Sequence, residues 1–131
     1  MINHEISDLV SRLKNGYLAK NDVLTIPFSR MRGEVLKILK EHGFISDCRE
    51  VKNPNGIRNF LVHLKYHDLK PVVKDISVVS KPGKRVYCSA DSLPVVRNGL
   101  GMAVISTAQG VVSNYTAKNK NIGGEVLLQI F

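Results

Sequence analysis

The sequence predicts an α+β fold: an α-β-α-β-β N-terminal subdomain, residues 1–66, and a β-rich C-terminal subdomain, residues 72–131, with one or two short helices. Residues 67–71, "HDLKP", read as a linker, polar and closed by proline. Three observations carry this. Apolar residues recur at helical spacing twice before Gly43. Two strand-like runs flank the turn signal "NPNG". After residue 71 come short runs rich in β-branched residues, broken at "KPGK", "NGLG", "AQG" and "GG".

Residues 3–20 place Ile6, Leu9, Val10, Leu13 and Tyr17 on one helical stripe, with Arg12, Lys14 and Lys20 off it. "VLTIPFS" is a short strand whose Pro27 argues for an edge position. Ser29 is suited to cap a helix over 30–42, with Met31, Val35, Ile38 and Leu39 facing inward and Gly43 as its left-handed terminator. In the second strand of the "NPNG" hairpin, Phe60, Val62, Leu64 and Tyr66 share one face. Both helices then cover one side of a three-stranded sheet. Further on, "SLPVVRNG" is expected to give a short helix capped by Ser92 and ended by Gly99, and "SNYTAKNKN" another turn.

Composition sets the partner class. With 131 residues, 44% of them hydrophobic, the chain suits one compact unit or two small subdomains sharing an interface. Its 19 Lys and Arg against 11 Asp and Glu give a net charge of +8, which predicts a polyanionic partner; a merely solvated basic surface is the alternative. No membrane partner is expected, since no apolar run is long enough to span and no helix pairs a wide apolar face with a cationic one. Glu5 and Asp8 at an N-terminus lacking an apolar segment argue against a secretory signal. Cys48 and Cys88 form no CxxC, so a cytoplasmic chain with two reduced thiols is the default.

Catalysis finds little support. His63 and His67 have helical zinc-ligand spacing but straddle a strand end and a linker, with nothing to complete a site. "NGLG" lacks the dinucleotide fingerprint and "PGKR" the phosphate-loop pattern. Ser106 lacks the GxSxG context, and all four histidines, at 4, 42, 63 and 67, lie well before it in the chain. A small hydrolase or nucleotide binder therefore stays only as the rival from another class. No metal, cofactor or small-molecule substrate is expected.

RNA contact is favoured. From residue 92 onward Arg97, Lys118 and Lys120 face a single acid, Glu125, among many Ser, Thr, Asn and Gly residues. Short hydroxyls and amides on rigid turns suit the sugars and splayed bases of folded RNA. No recognition helix for a DNA groove is apparent.

At this point "STAQG" (106–110), "GGE" (123–125) and the upstream "SKPGKRVY" resemble the C-terminal signature of the small-subunit ribosomal protein eight family, bacterial type. "SRLKNG", "ILKEHGFI" and "LPVVRNGLGMAVIS" extend the resemblance along the whole chain. It implies a structural, non-enzymatic constituent of the cytoplasmic small ribosomal subunit. Such a protein binds the central domain of 16S rRNA and helps organise the platform. Ribosomal proteins five and twelve are its implied neighbours, and its own operon messenger a possible second RNA.

Carried over by position, the resemblance makes Ser106, Thr107, Ala108, Gln109 and Gly110 the recognition loop, with Tyr87 its partner and Gly123, Gly124 and Glu125 the adjoining turn. Glu125 is expected to organise that turn or accept from RNA. Ala108 stands where the family usually has serine, which removes a hydroxyl hydrogen bond of about 1 kcal/mol. Thr116 and Asn121 also depart from the family pattern. Charge and position add Lys81, Lys84, Arg85, Lys118 and Lys120, and, from the basic N-terminal helices, Arg12, Lys14, Asn15, Arg30 and Arg32.

Overall fold

The computed structural model describes residues 2–131, and side-chain surroundings from residue 4 onward. Helix α1 (Ile2–Leu18) is followed by β1 (Val23–Pro27), α2 (Arg30–Glu41), β2 (Ile45–Lys52) and β3 (Arg58–Leu64). The strands form an antiparallel sheet in the order β1-β3-β2. Pro27 pairs with Asn59 on the edge strand, where its missing N–H costs no ladder bond. The predicted stripe of α1 is buried, from Ile6 to Tyr17. Ser29 caps α2 by accepting from the Arg32 N–H at 3.1 Å, and Gly43 at φ +79° ends it.

Tyr17 ties these elements together. Its hydroxyl donates to the Phe44 carbonyl at 2.5 Å and accepts from the Lys65 N–H at 3.2 Å. Burial holds its pKa above the ordinary 10.0. The neutral phenol is thus favoured on folding, so its contribution is complete below pH 10.0 and is lost as pH rises through the folded-state value. Tyr17→Phe is expected to cost about 1–2 kcal/mol. It should also flatten the alkaline fall in stability, followed by urea melts between about pH 9 and 11.

The chain then makes a small ladder, β4 (Tyr66–His67) against β5 (Lys70–Pro71), turning at Asp68 and Leu69, both at positive φ (51° and 66°). The second sheet contains β6 (Ile76–Val78), β7 (Tyr87–Cys88), β8 (Met102–Thr107), β9 (Gly110–Ser113) and β10 (Gly124–Ile130). Its order is β6-β10-β8-β9, with β7 also paired to β10. A register shift between Val126 and Leu128 turns both Leu127 and Leu128 into the core.

One face of this sheet, with Val104, Leu128 and Ile130, shares a single apolar cluster with Leu9, Leu36 and Val62 of the first half. The other face, Ala103, Ile105 and Val126, packs under Val96. Both parts of the chain are therefore built onto one core.

The helix expected from Ser92 to Gly99 does not form. Two separate 3₁₀ turns stand there instead, Ala90–Ser92 and Arg97–Gly99, with Leu93 extended between them (φ −62°, ψ 140°). Pro94 explains the break, because it lacks an amide donor and drives the preceding residue out of the helical region. "SNYTAKNKN" gives a true helix, α3 (Asn114–Lys120), capped by the Ser113 hydroxyl accepting from the Thr116 N–H. Thr116 and Asn121, singled out on sequence, have local roles here. Thr116 also meets the Ser113 hydroxyl at 3.3 Å, and Asn121 takes the left-handed cap at φ 56°, which asparagine tolerates.

Candidate nucleic-acid interface

The signature segments converge at one end of the C-terminal sheet. Glu125 of β10 lies opposite Tyr87 on one side and Ser106 on the other, and Ser106 lies opposite Val111 of β9. Directly opposed residues point to the same face, so Tyr87, Glu125, Ser106 and Val111 form one row across four strands. Tyr87 is 68% exposed on that row.

Two glycines permit this convergence. A Cβ on Gly124 would collide with the Ser106 carbonyl oxygen, and one on Gly123 with the backbone of Cys88 and Ser89. Any side chain there would hold the three strands apart.

The loop itself is a two-residue hairpin, with Thr107 paired to Gly110 and Ala108 and Gln109 at the tip. Gly110 sits at φ 109°, which glycine supplies at little cost. The Thr107 hydroxyl donates to the Gly110 carbonyl at 2.7 Å and accepts from the Gln109 N–H at 3.1 Å. It is the internal brace of the turn, leaving one lone pair for a ligand. Ser106 has no such internal role. Ala108, Gln109 and Gly110 are exposed.

Glu125 organises its surroundings. Its carboxylate accepts from the Ser80 hydroxyl and lies 3.3 Å from an Arg85 nitrogen. Ser80, only 1% exposed, also accepts from the Val86 N–H. This network clamps the segment leading into Tyr87. Ser80 opens the "SKPGKRVY" match, yet it is not among the candidate site residues, because the motif does not state that its hydroxyl is buried against a carboxylate. Lys81 and Lys84 exchange backbone hydrogen bonds across the exposed "KPGK" turn, and Lys81 borders a recess with Val10 and Lys14 of α1. Lys118 and Lys120 occupy the exposed last turn of α3, just before Gly123.

The N-terminal cations are placed differently. Arg12 pairs with Asp8 at 2.9 Å and Lys14 with Asp75 at 3.4 Å. Asn15 and Arg30 are exposed on their helices. Arg32 is turned inward: 8% exposed, it meets Asp8 at 3.1 Å and the Pro27 carbonyl at 3.4 Å. Its place on the buried side of α2 gives the guanidinium an intramolecular role.

A sequence model of the family described as ribosomal protein S8 matches residues 4–131. The chain belongs to the ribosomal protein S8 family. Curated relatives, each named small ribosomal subunit protein uS8, agree along the full length. The one from Azorhizobium caulinodans is 45% identical, covering 99% of this chain and 98% of its own. That from Xanthobacter autotrophicus is 44% identical with the same coverage. That from a Bradyrhizobium species is 42% identical over the whole of both chains. The S8 match spans both sheets, so the row of Tyr87, Glu125 and Ser106 lies within it. S8 membership also separates this chain from the hydrolases and nucleotide binders weighed on sequence.

Proposed function

We propose that this S8 chain is a structural constituent of the small ribosomal subunit that binds the central domain of 16S rRNA and helps order its platform. Contact is made through the end of the C-terminal sheet, beside ribosomal proteins five and twelve. The observation that carries the reading is the row that sets exposed Tyr87 in line with half-buried Ser106, fixed by Glu125 and Ser80 and following the exposed lysines of the "KPGK" turn in the chain. Lysine and arginine supply the salt-dependent attraction, while the rigid turn supplies fit to a folded RNA. The exposed tyrosine offers a ring for stacking on a base or sugar.

The test is a gel shift with a central-domain 16S fragment and an unrelated duplex of equal length, each at two salt concentrations. Ser106→Ala is expected to weaken specific binding about fivefold, one neutral hydrogen bond of about 1 kcal/mol, with the salt slope unchanged. Lys81→Ala with Lys84→Ala should lower that slope by about 2, since each lysine that no longer neutralises a phosphate removes about one unit. Equal affinity for both RNAs overturns the reading.

A further inference from the structure

A second surface lies at the far end of the same sheet. Ile130 of β10 pairs with Ile76 and Met102, whereas Glu125 marks the recognition row. The two ends are about 16 Å apart along the strand. Beside Ile76 opens a groove of about 430 Å³ whose floor includes Leu18, Pro71 and Val73. Lys70 and Lys74 stand on its wall. Neither has an ion-pair partner among the described residues, while the neighbouring Asp75 carboxylate is occupied by Lys14. Around the corner of the β4–β5 ladder a second recess is lined by Lys20, Asp22, Tyr66 and Leu69, with one cation and one acid, and Tyr66 meets Tyr17 of the first groove edge to face at 5.7 Å.

Leu69 is the informative residue. It occupies a hairpin turn at φ 66°, where Gly or Asn is favoured and a bulky aliphatic is an outlier. It is also 87% exposed, and Leu18, lining the first groove, is 76% exposed. Neither side chain serves this chain's own core. An aliphatic placed on an unfavourable turn and left in water marks a contact with something else. Apolar floors do not read phosphate, and a net charge of +8 disfavours a second copy of the chain. Two free ammonium groups over an apolar groove fit carboxylates on an apolar backing.

We propose that this end of the molecule docks an acidic, amphipathic segment of a neighbouring protein in the assembled particle. Leu69 and Leu18 are the anchors, and Lys70 and Lys74 select for carboxylates. The surface is separate from the RNA row, so one chain joins an RNA to a protein through opposite ends of one sheet.

The test places the photo-crosslinker benzoylphenylalanine at Leu69, at Leu18 and, as an exposed control, at Ile57, in full-length chain assembled into small ribosomal subunits. The crosslinked peptide is then sequenced. At positions 69 and 18 the expected product is one protein segment in which acids outnumber bases and apolar residues line one face. A crosslink to RNA, to a basic segment, or at no more than the Ile57 level overturns the proposal. In parallel, Leu69→Gly should melt no lower than the parent, since glycine suits the turn, yet cut that crosslink from position 18 at least fivefold. Lys70→Glu with Lys74→Glu should do the same, and an undiminished crosslink in either variant overturns the proposal. Both variants should bind the 16S fragment within twofold of the parent; a parallel loss would assign the surface to RNA instead. Failure of the unmodified chain to bind that fragment would sink the RNA reading while leaving this one standing.

Discussion

Replacing Gly124 by alanine will loosen the end of the C-terminal sheet and lower the melting temperature by about 10 °C. The added Cβ meets the carbonyl oxygen of Ser106, which is backbone and unable to rotate away as a side-chain tip does. Strand β10 must move off β8, disturbing the Glu125–Ser106 pairing. Overpacking of this kind costs about 3 kcal/mol, and a chain of this size loses about 3–4 °C for each. Circular dichroism melts give the first readout and the gel shift with the 16S fragment the second. RNA affinity should fall more steeply than for Ser106→Ala, because the whole row is displaced. A melt matching the parent would mean that the three strands do not converge as described.

Asp8→Ala is expected to cost about 3 kcal/mol, although Asp8 lies on the helix surface. The reason is Arg32. Its side chain is 10% exposed and meets the Asp8 carboxylate at 3.1 Å, and its Nε is buried with no hydrogen-bond partner among the described residues. Removing Asp8 leaves a guanidinium in a poorly solvated place, with the Pro27 carbonyl as its one acceptor among the described residues. Leaving one buried charge unpaired is costlier than deleting both charges. Asp8→Ala combined with Arg32→Met should therefore be more stable than Asp8→Ala alone in urea titrations. A double variant weaker than the sum of its single changes would show that Arg32 matters through packing rather than charge.

How far these features were legible in the residues differs between the halves. The first half is patterned strongly enough to read directly. Its stripe from Ile6 to Tyr17 has helical period, Ser29 and Gly43 bracket α2, and the alternation through Phe60, Val62 and Leu64 fixes which face is buried. In the second half most strands are short, and β8 is buried on both faces from Met102 to Ile105, so periodicity carries less information there. Turn chemistry decided more, and it misled once, where Leu93 before Pro94 is extended inside a segment with plausible helix ends.

The candidate site was legible in outline only. Spacing brings Ser106, Glu125 and Tyr87 into consideration together, but their row depends on strand register, which no local signal states. The distinction between Thr107, engaged inside the turn, and Ser106, left free, depends on hydroxyl geometry. Ser80 stood inside the quoted "SKPGKRVY" motif, but its role comes from burial beside a carboxylate, which the motif does not state. Arg32 shows the reverse, a cation whose type suggested phosphate and whose helix face turned it inward.

The apolar cluster that joins Leu9 and Leu36 to Val104 and Leu128 has a consequence for the recognition row. Neither helical layer nor late sheet can hide its greasy side without the other, so loss of either strips both. The strand pairs that set Tyr87, Glu125 and Ser106 in line therefore belong to a sheet whose inner face is covered only when the helices have docked.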